Sequence, residues 1–185
     1  MPLLDRHLHR LRQSARYFSF KYDSEKVQEA IAEAMPREAA FLRLLLSQMG
    51  EIELSSGSLP SGHAQRVKLS HVRVNSKDPY LYHKTTKRDI YEEARRGCDE
   101  DADAILINER DEITETTITN IAVFRDGAWI TPALTCGLLP GVMRAELLAY
   151  GKIVEGVIHS RELVSGEPIR CFNALRGVFE VEFNG

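Results

Sequence analysis

The chain has 185 residues, 43% of them apolar and 28% charged, which is enough for a buried core and too apolar for a disordered chain. Its formal net charge of −3 gives no electrostatic basis for a nucleic-acid partner. No apolar run approaches the length of a membrane span and no secretory signal opens the sequence, so a cytoplasmic protein with no membrane attachment is expected.

Leu4, Leu8, Leu11, Ala15 and Phe18 recur at helical spacing and predict an amphipathic helix over residues 4–18. A second helix is expected from Ser24, as its N-cap, to Met35 ahead of Pro36. "FLRLLLSQMGEIELSSG" reads as two strands joined by a turn at Gln48–Gly50. "GSLPSGH" reads as a loop, and "RVKLSHVRV" alternates in the manner of a half-buried strand. The polar break from Asn75 to Pro79 is the expected link between a smaller subdomain, 1–78, and a larger one, 79–185.

Beyond the break, Thr85 to Arg96 reads as a helix with Ile90, Tyr91 and Ala94 on one face and Gly97 closing it. "AILIN", "EITET", "TNIAVF" and "AWIT" read as strands, the last two joined by a turn at Asp126–Gly127. Pro140–Gly141 opens a helix from Val142 to Tyr150 with Met143, Leu147 and Tyr150 in line, and "KIVEGVI" and "IRCFNALRGVFEVEF" finish as strands. The class is α+β, with largely antiparallel pairing expected in the larger subdomain. Cys98, Cys136 and Cys171 are odd in number and include no Cys-x-x-Cys pair, so neither a disulfide framework nor a zinc site is indicated. His7 and His9, two apart, point to different sides of a helix, and no metal is expected.

Three features bear on chemistry. Lys84 heads "KTTKR" in front of a helix whose dipole disfavours a cation there; an ordinary lysine at such a place is a solvated surface group. Glu115 lies inside a strand pattern, where a carboxylate wants a cationic partner. "GLLPGVMRAELL" feeds a Gly/Pro turn into a helix, presenting backbone N–H groups and a positive dipole end that suit a phosphate, although many loops enter helices this way.

Taken in order, Lys84, Glu115-x4-Asn120-Ile121, the Asp-Gly hairpin, "TP" and "GLLPGVMR" resemble the fold-type IV pyridoxal-phosphate enzymes. That class holds branched-chain and D-amino-acid aminotransferases and aminodeoxychorismate lyases. "HKTTKR" and "CFNALRGV" resemble the lyases, especially the form fused to aminodeoxychorismate synthase, a resemblance that adds a synthase component to the expected partners. The resemblance covers almost the whole chain. It implies two subdomains of the D-amino-acid aminotransferase-like architecture, with the smaller one short at its N-terminus by roughly forty residues. It also implies pyridoxal 5'-phosphate as cofactor and a homodimer, since missing strands leave edges that association covers. The implied reaction converts 4-amino-4-deoxychorismate to 4-aminobenzoate and pyruvate for folate synthesis. The alternatives are a class IV aminotransferase and a non-catalytic cofactor-binding protein or partner-completed subunit.

The resemblance also assigns roles. Lys84 carries the cofactor aldehyde and, once displaced by substrate, moves the proton as a free amine, a task that suits a desolvated lysine. Glu115 keeps the pyridine nitrogen protonated. The Val142 and Met143 amides bind the phosphate, with Arg10 as a side-chain contact and Ala174 and Leu175 as further backbone contacts. Arg88 lies near the phenolic oxygen, or else on the helix surface. Asn120 either touches the ligand or braces the strand. Lys87 stands where the family usually has asparagine.

Overall fold

In this computed structural model residues 3–34, 41–59 and 62–185 are described, and the chain divides into two compact units, Met1–Gly62 and His63–Gly185. In the first, α1 (Leu4–Tyr17) follows the apolar period, with Asp5 in its first turn and Arg16 in its last, each sign matched to the helix dipole. α2 (Ser24–Ala34) buries Val27 and Ile31. Its cap is Asp23 rather than the expected Ser24: the Asp23 carboxylate accepts from the amides of Glu25 at 3.1 Å and Lys26 at 3.2 Å, and Ser24 is already helical. The expected end of this helix at Met35 lies outside the described residues. β1 (Phe41–Leu46) and β2 (Ile52–Gly57) pair antiparallel with Leu46 opposite Ile52, and Gly50 takes the turn at φ +88°.

The second unit is built on an eight-stranded sheet. In chain order it runs β3 (Arg66–Val74), α3 (Asp89–Arg96), β4 (Ala102–Asn108), β5 (Ile113–Thr116), β6 (Asn120–Arg125), β7 (Ala128–Pro132), α4 (Val142–Ala149), β8 (Val154–Gly156), β9 (Pro168–Asn173) and β10 (Gly177–Phe183). The spatial order is β5-β4-β3-β10-β9-β6-β7-β8. β3 is therefore an interior strand of this sheet, parallel to both β4 and β10, and not part of the first unit as the sequence suggested. The polar break after it is an internal connection, built from turns: Asn75 accepts from the Lys77 amide at 3.0 Å and Asp78 from the Tyr80 amide at 2.9 Å.

Pairing is also more mixed than expected. β3–β4 and β7–β8 are parallel because α3 and α4 are their crossovers, and β3–β10 is parallel as well. The β6–β7 hairpin keeps the expected two-residue turn, with Asp126 at φ 50° and Gly127 at φ 84°, the left-handed pair that matches strand twist. "KIVEGVI" yields only the short β8, and Tyr150 lies beyond α4, exposed rather than in line with Met143 and Leu147.

Val67, Ile105, Ile113, Ile121, Val123 and Ile169 form the main core. α3 closes a second cluster, setting Tyr91 and Ala94 against Ala104 and Leu106. α4 closes a third, with Met143 and Leu147 against Ala122 and Phe172. β5 lies at one edge of the sheet yet passes through three residues into the interior β6, and the Thr116 amide donates to the Thr119 carbonyl at 2.8 Å. That turn sets the last residues of β5 beside the first of β6.

Candidate active site

The segment that carries Lys84 is a loop, not the start of a helix. Thr85 Oγ1 accepts from the Lys87 amide at 3.2 Å, a local bond that competes with helical pairing, and Arg88 at φ −128° is the N-cap. α3 thus begins at Asp89 and carries Asp89 and Glu92 in its first turn. Lys84 is exposed, so burial does not desolvate it in this structure. Lys87 is held with Nζ 4.0 Å from the centre of the Tyr80 ring.

Glu115 is the centre of the site. It is 5% exposed, and both carboxylate oxygens are engaged. Oε1 accepts from the Tyr91 hydroxyl at 2.9 Å and from the Leu139 amide at 3.1 Å, and Oε2 accepts from Asn120 Nδ2 at 3.1 Å. These donors are a phenol, an amide side chain and a backbone N–H. Lys84 and Arg88 still act on the carboxylate through their charge. Burial pushes the Glu115 carboxyl up to about 7, against the opposing pull of the Tyr91 and Leu139 hydrogen bonds and those two positive charges.

Arg88 is not a free helix-surface arginine. Its guanidinium donates to the Thr117 carbonyl and lies 4.5 Å from the centre of the Tyr91 ring. Thr117 is itself anchored, its hydroxyl donating to the buried Asp103 at 2.5 Å, and Asp103 pairs with Arg95 at 3.2 Å. A chain of polar contacts from α3 through β4 to the β5–β6 turn therefore fixes the cation beside Glu115.

Asn120 braces the site. Besides Glu115, its amide donates to the Leu139 carbonyl at 2.9 Å, which ties β6 to the turn before α4. Its Oδ1 lies so close to Gly141 that an added Cβ would stand 1.9 Å away, so any other residue there would have to displace the Asn120 carboxamide. Gly141 is the N-cap of α4 and supplies no side-chain cap, which leaves the helix start, at Val142 and Met143, with the unpaired character that binds anions.

Ala174 and Leu175 are exposed in the β9–β10 turn. The Leu175 amide donates to Asn173 Oδ1 at 3.0 Å and is thus engaged within the chain, and Asn173 Nδ2 fastens the turn to the Ile118 carbonyl at 3.3 Å. Arg10 is half-buried on α1 in the first unit, where its role stays an expectation of the resemblance.

The structure thus gathers Lys84, Arg88, Glu115 and Asn120 and links them to the turn that leads into Val142 and Met143. Sequence reasoning missed Tyr91 and Leu139. Tyr91 carried a signal, since a tyrosine on the buried face of a helix needs an acceptor for its hydroxyl. Leu139 carried none, because it acts through its backbone. The set suits a ligand with a protonated ring nitrogen, which would hold the buried carboxylate ionised, together with a phosphate for the helix start and a carbonyl for the lysine.

Residues 1–182 match the family Amino-transferase class IV. The Schizosaccharomyces pombe protein "Putative aminodeoxychorismate lyase" is 32% identical over 188 residues, 95% of this chain and 81% of its own length. The crystal structure of a "Putative amino-acid aminotransferase" from Mesorhizobium loti matches with a TM-score of 0.89 at 36% identity, covering 98% of this chain and 91% of that one. The 4-amino-4-deoxychorismate lyase of Pseudomonas aeruginosa has the same fold, with a TM-score of 0.80 at 20% identity over 98% of this chain and 77% of that one.

Proposed function

The chain belongs to the class IV aminotransferase family, whose members depend on pyridoxal phosphate, and we propose that it is a 4-amino-4-deoxychorismate lyase yielding 4-aminobenzoate and pyruvate. The observation that supports the cofactor part of this reading is the buried Glu115, fixed by Tyr91, Asn120 and Leu139 and lying in the field of Lys84 and Arg88. When bound, the cofactor supplies a protonated pyridine ring that accepts the electron pair left on the substrate as a proton departs.

The residues of the chain do the rest. Glu115 keeps the ring nitrogen protonated. The amides of Val142 and Met143 hold the phosphate, and Arg88 serves the phenolic oxygen. Lys84 holds the cofactor carbonyl in the resting protein and, as a free amine, takes the proton from the amine-bearing carbon of the substrate. The bond between the ring carbon and the enolpyruvyl oxygen then breaks and the ring becomes aromatic; enolpyruvate leaves and gains at its methylene carbon one proton, equivalent to the one Lys84 removed, to become pyruvate. Aromatisation supplies driving force, so positioning and proton handling are the main tasks of the protein.

The lyase reading is supported by the Schizosaccharomyces pombe relative and by "HKTTKR" and "CFNALRGV". A second reading, an aminotransferase using the same lysine and carboxylate, is favoured by the Mesorhizobium loti relative. Two incubations of the purified chain with pyridoxal phosphate, one with 4-amino-4-deoxychorismate and one with an amino acid and a keto acid, separate them: 4-aminobenzoate and pyruvate in equal amounts from the first support the lyase. A new amino acid formed from an amino acid and a keto acid, without 4-aminobenzoate, replaces it with the aminotransferase. We expect a homodimer in either case, and sedimentation as a monomer with full cofactor occupancy removes that expectation.

A further inference from the structure

Tyr91 packs with Leu81, Ala94, Ala104 and Leu106 in the α3 cluster, where a phenylalanine serves the packing equally well. Its hydroxyl needs a separate reason. It lies 2.9 Å from Glu115 Oε1 in a buried setting, while the Arg88 guanidinium covers the ring. Each carboxylate oxygen has two acceptor directions. On Glu115, Oε1 takes two donors, Tyr91 and the Leu139 amide, and Oε2 takes one, Asn120. The remaining acceptor direction belongs to Oε2.

We propose that Tyr91 is a positioning residue: by filling Oε1 together with Leu139, it turns the Glu115 carboxylate so that Oε2 is the oxygen offered to the ring nitrogen of pyridoxal phosphate. This rests on the cofactor reading given above. The three donors come from α3, β6 and the turn before α4, so the carboxylate plane is set from three directions. Loss of the phenol leaves Oε1 with a single donor and lets the plane rotate between the two oxygens. The ligand interaction then weakens at one ligand atom only.

The test uses the full chain, the isosteric substitution Tyr91→Phe and two ligands: pyridoxal phosphate and 1-deazapyridoxal phosphate, in which a C–H replaces the ring nitrogen. Dissociation constants are read from the absorbance of the lysine-bound chromophore, and thermal unfolding of the ligand-free proteins checks the fold. Tyr91→Phe is expected to weaken pyridoxal phosphate about tenfold and the deaza compound by less than about twofold, because only the former has the nitrogen that Oε2 serves. The same substitution made in a Glu115→Gln background is expected to change pyridoxal phosphate affinity by less than about twofold. Equal weakening of both ligands, or of neither, overturns the proposal and makes Tyr91 a packing residue. If the parent chain binds neither ligand, the cofactor reading falls and takes this inference with it. If the parent binds both and the substitution does not discriminate between them, only this inference falls.

Discussion

Replacing Glu115 with glutamine in the cofactor-free protein should abolish a specific pH dependence of stability. The folded carboxyl is raised by burial to about 7 from an ordinary 4.5. A group that holds its proton more tightly when folded contributes stability that is complete below the lower value and is lost as pH rises through the higher one. The gap, at about 1.4 kcal/mol per pH unit, corresponds to a loss on the order of 3 kcal/mol between pH 4.5 and pH 8. For a chain of this size that is a fall in Tm of roughly 6–12 °C. Glutamine has nothing to ionise, so its own curve lacks this component. It also sets an N–H₂ group against Asn120 or Tyr91, a mismatch costing about 1–3 kcal/mol, but that offset is the same at every pH and cancels when each protein is compared with itself. The assay is thermal unfolding at pH 5 and pH 8 followed by fluorescence of Trp129, the single tryptophan, which lies on β7 in the second unit. Parallel behaviour of the two proteins across that range would falsify the assignment of a buried, proton-holding Glu115. Pyridoxal phosphate should flatten the parent's slope, since a protonated ring nitrogen holds the carboxylate ionised.

Borohydride reduction of the cofactor-loaded protein should leave the pyridoxyl group on Lys84 and spare Lys87, which is held over Tyr80; label mainly on Lys87 or Lys77 contradicts the lysine assignment. Gly141→Ala places a Cβ 1.9 Å from Asn120 Oδ1 and should cost about 1–3 kcal/mol in denaturant unfolding, so an unchanged midpoint rules out the close approach. Asp103→Ala removes the acceptor of the Thr117 hydroxyl and the partner of Arg95. It should cost about 2 kcal/mol and weaken cofactor binding through the loosened Arg88, and full stability with full affinity would show that this polar chain fixes nothing.

Much of the fold was legible because its signals are local. The Asp126–Gly127 hairpin follows from turn chemistry, α1 from its apolar period, and "AILIN" from a short apolar run whose residues are all buried in β4. The misreadings came where a distant or competing partner decided. "RVKLSHVRV" is a strand in either unit as far as its own residues go, and only pairing with β4 and β10 assigns it to the larger sheet. Thr85 looked helical until its hydroxyl took the Lys87 amide. Asp23 took the cap from Ser24 because its carboxylate reaches two amides. At the site, Lys84, Arg88, Glu115 and Asn120 were named from their order in the sequence. The surroundings of Glu115 were not, because a residue 24 positions before it and a backbone amide 24 positions after it supply the donors.

The bracing by Asn120 has an evolutionary consequence. One carboxamide serves the Glu115 carboxylate with one hand and the Leu139 carbonyl with the other, while its oxygen stands where a side chain at position 141 would begin. Positions 115, 120 and 141 are therefore a single inherited character spread over three places in the text. A lineage that abandons the carboxylate releases the asparagine, and a lineage that loses the asparagine frees the glycine to drift. Among descendants of this chain, the three letters should be kept together or surrendered together, with the glycine the last to change.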